Sequence, residues 1–380
     1  MTSYPLEYNL SANIRNWGLI DGLLANGEAV STLSPYPTDR KLFNGSIDSE
    51  CFVKRYWIGG EAKTSSTSAS QPTKGGFRII LKTWAYKLFN YFSIYDRRRF
   101  LTRKINVREI EDTFDVIISS SDPKSAHLFA REVLKQKPSI ARKWVQYWGD
   151  PFSNDITTSR LFGNLFVKRE EKKLLGWTDR AVYVSPFTAA DVKKKYPQFS
   201  EKILFLPIPY RLSNDKKSEK YYEKGLVGYF GDYTSHNRNI LPFYDAVVEA
   251  HIKTNIIGDS DVQLSETELI HIGSRIPSQE LKQTTDMTHL FVCVCNLHGT
   301  QIPGKVYHYV NTGKPILIVL DGERTADLRK YFESFNRFYL CENTKESILD
   351  SLKQVLSEDK SFGIPDALNP QKIAKRFVEF

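Results

Sequence analysis

Cysteine and long apolar runs are both scarce in this sequence. Four cysteines in 380 residues exclude a disulfide scaffold and a cysteine zinc site, and such sparse usage is typical of the reducing cytoplasm. The longest apolar runs, such as residues 315–320, are far shorter than the ~18 residues that a membrane-spanning helix needs. The N-terminus has no basic region followed by an apolar stretch, so no secretory signal is visible. We therefore expect a cytoplasmic protein without a membrane-spanning helix.

Several catalytic motifs are also missing. No Gly-x-Gly-x-x-Gly occurs, and no Ser-His-Asp or Cys-His arrangement can be read from the sequence. No Asp-x-Asp stands out as a metal site, because residues 259–261 follow a predicted strand in a way that favours a helix-capping turn. Glycine and proline, at 21 and 17 residues, are too few for a disordered or collagen-like chain. What remains is the composition of an ordinary folded protein, with 41% hydrophobic and 26% charged residues.

The charge is unbalanced towards the basic side. A net charge of +9 and a pI of about 9.1 indicate an anionic partner such as nucleic acid, a phosphorylated ligand or a membrane surface. In residues 77–104, eight basic and eight aromatic side chains accompany one acid, Asp96. This basic aromatic segment is typical of an interfacial membrane contact; the alternative is a helix pair packed on the first sheet with solvated basic side chains. We expect no nucleic-acid partner, because no recognisable nucleic-acid module accompanies the segment.

Short β-branched runs alternate with helical segments along the chain. This alternation predicts α/β domains with parallel sheets and helices on both faces, separated by a linker at 208–224. Residues 64–76 are a low-complexity loop. Strands are predicted at 29–33, 115–119, 143–147, 180–185, 203–206, 226–230, 254–258, 269–272, 290–294, 315–319 and 338–341. Helices are predicted at 126–135, 189–196, 240–250, 305–311 and 345–357.

The sharpest signal is the segment 296–317, Asn-Leu-His-Gly-Thr-Gln-Ile-Pro-Gly-Lys-Val-Tyr-His-Tyr-Val-Asn-Thr-Gly-Lys-Pro-Ile-Leu. A strand ends near Val294, a turn rich in glycine and proline opens a helix at Lys305, and the helix stops at Gly313. A helix N-terminus at the carboxyl edge of a parallel sheet presents N–H groups and a positive dipole end, which suits a diphosphate.

This layout resembles the nucleotide-sugar site of GT-B glycosyltransferases, particularly the retaining family-4-like enzymes. Their pattern runs small residues, Pro-(Ser/Gly)-Lys, a Tyr/Phe-Glu-Tyr-like helix, then Gly-Lys-Pro-Ile/Val. Segments similar to the family lie, in its order, at 5–34, 115–123, 144–152, 170–197, 228–231, 256–258 and 271–277. The resemblance implies two Rossmann-like domains facing a central cleft, an acceptor domain at 1–207 and a nucleotide-sugar domain at 225–362. It also implies that residues 363–380, with an amphipathic helix from residue 369, pack back on the first domain.

The donor site implied by the resemblance lies in the second domain. Arg238 and Lys305 are the best candidates for stabilising charge on the leaving diphosphate, so we expect a metal-independent site. Two features depart from the family pattern: His308 stands where a glutamate usually grips the donor ribose, and the usual first β-strand is absent or shortened. The full set of donor-binding candidates is Gly231, Arg238, Ile276, Gln301, Ile302, Pro303, Gly304, Lys305 and His308.

On the acceptor side, Asp150 follows a predicted strand. A carboxylate at the carboxyl end of a strand can accept a proton or hold a sugar hydroxyl, which makes Asp150 the catalytic candidate there; the alternative is an ordinary turn. The resemblance places Asn13 and Arg15 near the donor phosphate and the acceptor. Ser120, within the run 119–122, lines the cleft or caps the following helix.

Together these features predict transfer of a hexose-type residue from a UDP- or GDP-linked sugar to a glycan or polyprenyl-linked acceptor. The expected place is the cytoplasmic face of the cell membrane, and the expected setting is bacterial surface-polysaccharide assembly. The resemblance implies retention of anomeric configuration, and no cofactor beyond the donor is expected. Two alternatives stay open: a nucleotide-sugar 2-epimerase-type isomerase of the same fold, and a catalytically silent nucleotide- or sugar-binding partner.

Overall fold

The computed structural model describes residues 1–39, 49–60, 93–153, 163–212, 222–358 and 360–379. The predicted loop 64–76, residues 77–92 of the basic aromatic segment and residues 213–221 of the predicted linker lie outside the described residues. The chain divides into two compact units. The first unit comprises Met1–Asn16, Glu28–Leu206 and Phe377–Phe380, and the second unit comprises Trp17–Gly27 and Pro207–Arg376.

Parallel strands in two sheets form the framework of the first unit. One sheet pairs β1 with β2, and the other has the order β3-β4-β5-β6. Thr2 donates to the Leu33 carbonyl at 3.1 Å and Ser120 donates to the Met1 carbonyl at 3.0 Å, so a single bridging pair stands where the family's first strand is expected. The strands are β1 (Ser31–Pro35), β2 (Lys54–Ile58), β3 (Phe114–Ser120), β4 (Ala141–Trp148), β5 (Arg180–Tyr183) and β6 (Ile203–Phe205), and the helices are α1 (Ser11–Ala25), α2 (Ser125–Gln136), α3 (Gly163–Trp177) and α4 (Pro186–Lys195).

Helix α2 illustrates how the first unit is packed. Ala126, Phe129, Ala130 and Val133 recur at the helical spacing i, i+3, i+4, i+7 and are fully buried, which gives the helix one apolar face. That face belongs to a core that includes Trp144 of β4. Burial of each large side chain contributes roughly 1.5–3 kcal/mol to folding stability. The core therefore holds β3 and β4 in place, together with the loops that follow them.

Six parallel strands in the order β12-β11-β10-β7-β8-β9 form the sheet of the second unit. This is the doubly wound order, in which two halves meet between β7 and β10, and ligands of such sheets bind at that switch point. The strands are β7 (Val227–Phe230), β8 (Thr254–Ile257), β9 (Ile270–Gly273), β10 (Leu290–Val294), β11 (Ile316–Leu320) and β12 (Tyr339–Glu342), and the helices are α5 (Leu241–Glu249), α6 (Ser278–Met287), α7 (Lys305–Tyr309), α8 (Thr325–Glu333) and α9 (Lys345–Ser357).

The Gly-Lys-Pro part of the sequence motif is structural. Helix α7 continues into a 3-10 turn that ends at Gly313, whose φ of 71° is the left-handed conformation that favours glycine. The Lys314 ammonium donates to the carbonyls of Thr285, Asp286 and Thr288 at 3.1, 2.7 and 2.6 Å. This lysine therefore caps the C-terminal end of α6 and is not available to a ligand.

Each of the eleven predicted strands overlaps an observed one, but the pattern does not predict β2. The predicted domain 1–207 also differs from the first unit, because Trp17–Gly27 belongs to the second. Gly22 on α1 allows this, since a Cβ there would collide with the Pro370 carbonyl, and Asn26 Nδ2 donates to the Gln371 carbonyl at 2.9 Å. The last helix, α10 (Pro370–Val378), thus packs on α1 before Phe377 joins the first unit. Among the described residues no helix has the length and apolar character to cross a membrane.

Candidate functional site

The carboxyl edge of the six-stranded sheet gathers the predicted donor residues. Gly231 follows β7, Ile276 follows β9, and residues 301–308 follow β10. All six strands are parallel, so these loops emerge at one edge. The loops after β7 and β8 approach closely, because a Cβ at Gly258 would collide with the Gly231 carbonyl oxygen.

Asn296 connects the two halves of this edge. Arg238 Nε donates to Asn296 Oδ1 at 2.8 Å, and Asn296 Nδ2 donates to the Gln301 carbonyl at 3.2 Å. Arg238 Nη1 also donates to the Asp232 carbonyl at 2.8 Å. These partners of Arg238 are all neutral oxygens, so they hold the guanidinium in place without cancelling its charge. The sequence gives no signal for the role of Asn296, which depends on the sheet order.

Lys305 is the least satisfied cation at this edge. It opens α7 and is half-buried. Within the described part of the chain its ammonium makes no hydrogen bond and no ion pair. Burial lowers the pKa of Lys305, and the nearby carboxylate of Asp232 opposes that shift. A poorly solvated cation without a partner is costly, and an anionic ligand would remove that cost.

A second unused donor lies beside it. Gln301 Nε2 is buried and has no hydrogen-bond partner among the residues described, while its Oε1 accepts from the Thr300 N–H at 3.3 Å. Buried donors are normally satisfied, so this amide points to a ligand acceptor. Ile302 and Pro303 are buried and support the turn, whereas the flanking candidates Ile276, Gly304 and His308 are half-buried.

An open pocket of about 300 Å³ lies between the loops after β7, β8 and β9. Its wall includes Tyr233, Gly258 and residues 272–274, part of the segment that the resemblance assigns to the donor base. At its rim Arg275 pairs with Asp232 through Nε at 2.8 Å and through Nη2, and with Asp259 at 3.3 Å. The sequence motifs do not single out Arg275 or Asp232, which are 43 residues apart.

The buried thiols under this edge are unreactive. Burial raises the pKa of Cys293 to about 12, although Arg238 and Lys305 act in the opposite direction. Burial likewise raises the pKa of Cys295. Because the thiolate is the nucleophile, neutral buried thiols serve as packing groups here.

At the carboxyl edge of β3 and β4, two carboxyl groups meet. Asp122 forms an ion pair with Lys124 at 2.6 Å and a hydrogen bond with the Asp150 side chain. Burial acts to raise the pKa of Asp122, but Lys124, Asp150 and Arg15 together hold it below its ordinary value. A hydrogen bond between two carboxyl groups requires one shared proton. The structure thus brings Asp150 together with Arg15 through Asp122. The sequence identifies Asp122 only as part of the run 119–122, which is expected to line the cleft or cap the following helix.

The other acceptor-side candidates stabilise the fold around this pair. Arg15 is buried, donates to Ser120 Oγ at 3.3 Å and lies over the Tyr147 ring at 4.9 Å. Ser120 Oγ donates to Asn16 Oδ1 at 2.6 Å. Asn13 Nδ2 donates to the carbonyls of Pro5 and Tyr8 at 2.7 and 2.9 Å. The Asn13 amide therefore fixes the N-terminal loop, and its acceptor role stays a prediction.

The described end of the basic aromatic segment is a 3-10 helix, Arg97–Lys104. Asp96 caps it by accepting from the Arg98 N–H at 2.9 Å, and it also accepts from Ser125 Oγ at 2.9 Å. None of the helix residues is buried, and Phe100 is 45% exposed. Asp96, the only acid of the segment, is thus used in capping. The exposed Phe100 ring lies in the same helix as the basic side chains.

The described residues bring together no group of three or more His, Cys, Asp or Glu side chains that could hold a metal ion. At the predicted capping turn, Asp261 accepts from the N–H and the Oγ of Ser235, both at 2.8 Å. This carboxylate therefore fixes the loop after β7.

Comparison with family models finds no match, and comparison with curated proteins finds none either. Solved structures give a different result over the whole chain. Anabaena Alr3699/HepE in complex with UDP and glucose has a TM-score of 0.54 at 11% identity, covering 99% of this chain and 94% of that one. An α-glucosyltransferase in complex with UDP-glucose and DNA containing an abasic site has a TM-score of 0.54 at 13% identity, covering 100% of this chain and 93% of that one. AviGT4, a glycosyltransferase involved in avilamycin A biosynthesis, has a TM-score of 0.51 at 12% identity, covering 100% of this chain and 91% of that one.

Identities this low carry information about the fold alone. The parallel α/β sheets of both units and the full-length likeness agree with the prediction from the sequence. The chain has the GT-B fold of the glycosyltransferases.

Proposed function

We propose that this chain is a glycosyltransferase that binds a nucleotide-diphosphate sugar at the carboxyl edge of the second unit's sheet and transfers the sugar to a glycan or lipid-linked acceptor. The observation that carries the proposal is the half-buried Lys305 ammonium, which has no hydrogen bond or ion pair with the described residues. It stands at the switch point together with Arg238 and the unused Gln301 amide. A diphosphate would satisfy all three.

The proposed chemistry follows from these groups. Arg238 and Lys305 stabilise the charge that develops on the leaving diphosphate, which is the role that a metal ion has in other transferases. Asp150 of the first unit holds the acceptor hydroxyl, or accepts its proton once the proton that it shares with Asp122 has been released. Retention of configuration, a hexose donor and independence of metal complete the proposal, and the last is tested by turnover in EDTA.

A thermal-shift panel tests the donor class. Purified full-length chain is melted with UDP, GDP, CDP, ADP and their sugar conjugates, alongside a Lys305→Met variant and a Lys282→Met control on the surface of α6. One nucleotide should stabilise the unaltered chain selectively, and the shift should grow with its concentration. The proposal is supported if Lys305→Met loses this shift and the control keeps it. The absence of any shift with the unaltered chain contradicts it.

Turnover distinguishes an enzyme from a silent binding partner. Donor hydrolysis or transfer is measured for the unaltered chain and for His308→Glu, which restores the residue usual in the family. We expect measurable turnover in the unaltered chain and an altered KM for donor in His308→Glu, because a carboxylate holds ribose hydroxyls with two acceptors and imidazole with one. Nucleotide binding without turnover in either protein would favour the silent partner.

We further propose bacterial surface-polysaccharide assembly at the cytoplasmic membrane face as the setting. The exposed Phe100 among Arg97, Arg98 and Arg99 supports an anionic lipid contact. Liposome flotation with phosphatidylglycerol vesicles should decline strongly when these three arginines are changed to Glu, since each cation near such a surface contributes about 1 kcal/mol. Unchanged flotation would contradict the membrane contact.

The prediction that nucleic acid takes no part is weakened by the comparisons, since the α-glucosyltransferase structures contain DNA. A net charge of +9 is compatible with a nucleic-acid acceptor. Duplex DNA therefore belongs in the acceptor panel beside glycan and polyprenyl acceptors. Sugar transfer to DNA alone would overturn the glycan assignment.

A further inference from the structure

Asp232 is an unexpected neighbour for an anion-binding site. It stands two residues after the end of β7, at the switch point where we place the donor diphosphate. Its carboxylate accepts from Arg275 Nε at 2.8 Å and from the Asp259 N–H at 3.1 Å, and it also pairs with Arg275 Nη2. The side chain remains 39% exposed, so a ligand in this region meets its charge.

The charge of Asp232 is only partly neutralised. Arg275 serves two carboxylates, since its Nε also lies 3.3 Å from Asp259 Oδ2. Meanwhile Asp232 lies in the fields of Arg238 and Lys305, the two cations available to a diphosphate. A fixed negative charge therefore stands beside the cations that would bind the ligand.

We propose that Asp232 is a specificity-determining residue of the donor site, which disfavours the free nucleoside diphosphate relative to the nucleotide sugar. The inference rests on the proposed function. A nucleotide sugar is a diester of the diphosphate with two charges, whereas a nucleoside diphosphate ends in a phosphate whose last pKa is about 6, so it carries about three near pH 7. Repulsion by one fixed carboxylate grows with ligand charge, so it weakens the product more than the donor. Asp232 thereby limits product inhibition.

The discrimination should depend on pH through the ligand. The groups that face Asp232 are Arg275 and Asp259 from the neighbouring loops, Arg238, Lys305 and Tyr229, and burial raises the pKa of Tyr229 to about 12. Burial works to raise the pKa of Asp232, but Arg275 holds it below its ordinary value, so Asp232 stays ionised in mildly acidic solution. From about pH 8 to about pH 5.5 the terminal phosphate gains a proton, and the part of the preference for the sugar conjugate that Asp232 contributes should shrink.

Isothermal titration of the full chain tests this, with UDP and UDP-glucose as one pair of probes and GDP and GDP-mannose as the other. In Asp232→Asn the diphosphate should bind about tenfold tighter and the sugar conjugate about threefold tighter, with both gains smaller at high salt. Asp115→Asn is the matched control, because it removes the same charge from an exposed carboxylate of the first unit that pairs with Arg142; it should change neither affinity. Asp232→Glu keeps the charge and should keep the discrimination.

The outcomes separate the inference from the proposed function. Equal changes for both members of a pair, or weaker binding of both in Asp232→Asn, would overturn the role of Asp232 and leave the donor site intact. No binding of either pair to the unaltered chain would overturn the proposed function and this inference with it. The pH series is run on the unaltered chain and on Asp232→Asn, or on Asp232→Ser where Asp232→Asn does not fold, because Arg238 and Lys305 also respond to the charge of the ligand. A discrimination ratio that changes equally in the two proteins from about pH 8 to about pH 5.5 would overturn the inference.

Discussion

The cations at the carboxyl edges of the two sheets are paired differently. In the second unit Arg238, Arg275 and Lys305 lie near the carboxylates of Asp232 and Asp259. Arg238 is bonded to neutral oxygens, and the Lys305 ammonium has no ion pair within the described residues. This edge therefore keeps a cation without a carboxylate partner among the described residues.

In the first unit the ammonium group beside the carboxyl groups has an ion-pair partner. Lys124 pairs with Asp122, Arg15 acts on the same carboxylate, and Asp150 shares a hydrogen bond with it. The same structural feature, the end of a parallel strand, thus suits an anion in one unit and a neutral hydroxyl in the other. The difference teaches that the donor and acceptor roles that we propose for the two units correspond to different pairing of the cations at the strand ends.

The largest effect is expected on the rate of sugar transfer when Asp150 of the first unit is changed. Asp150→Asn should lower transfer by about 10²–10⁴-fold while donor affinity changes less than about twofold, because general acid–base groups contribute to the reacting state. The measurement is kcat with saturating donor and acceptor, with UDP titration alongside. Asp115→Asn is the control, since Asp115 is an exposed surface residue paired with Arg142. Full activity in Asp150→Asn would contradict the proposed role of Asp150 toward the acceptor hydroxyl.

The next effect concerns Lys305 of the second unit. Lys305→Met should weaken binding of the nucleoside diphosphate by about 10–100-fold, because a hydrogen bond to a charged group contributes roughly 1.5–3 kcal/mol. Titration calorimetry of the two proteins measures this, and Lys282→Met on α6 should leave the affinity unchanged. Equal affinities of Lys305→Met and the unaltered chain would mean that the Lys305 ammonium is not the group that binds the diphosphate.

A smaller effect is expected at Asn296, which touches no proposed ligand atom but joins Arg238 to the Gln301 turn. Asn296→Ala should weaken diphosphate binding by about 5–10-fold and lower the melting temperature, since two hydrogen bonds of about 1 kcal/mol each are lost. The measurement is titration and melting of the same preparation. A lower melting temperature with unchanged affinity would restrict Asn296 to a stabilising role.

The smallest effect is a displacement on the pH axis. The pKa of Lys305 is lowered by burial, and a diphosphate binds the protonated form, so binding is present below that pKa and is lost as the pH rises through it. The alkaline loss of affinity should therefore begin earlier than for an ordinary lysine. Lys305→Arg should move the loss to higher pH, because guanidinium stays charged. Superimposable pH profiles of the two proteins would contradict this assignment.

The sequence predicts this molecule well where the signal is local. Apolar runs such as Leu290–Val294 and Ile316–Leu320 identify the buried strands, and helix Lys345–Ser357 has the predicted bounds. Strand β2 is not predictable in this way, because Lys54 and Arg55 occupy its exposed and half-buried positions and hide the apolar signal.

The candidate site is predictable only in part, for a physical reason. Lys305 and Gln301 belong to one continuous motif that local spacing identifies. The partnership of Asp232 with Arg275, and the link from Arg238 to Asn296, join residues 43 and 58 positions apart. Such pairs form only because the strand order places β10 next to β7 and leaves β8 alone between β7 and β9, and strand order is a property of the whole sheet.

Gly258 has a consequence for recognising distant relatives of this chain. Any side chain there would meet the Gly231 carbonyl oxygen, so the two loops tolerate only glycine without shifting. Family comparison detects no match, yet a distant relative that retains this loop packing must keep a glycine directly after its second strand in this unit. A search built on that single steric requirement, combined with an amide directly after Cys295, would filter candidate sequences by geometry where overall identity is too low to help.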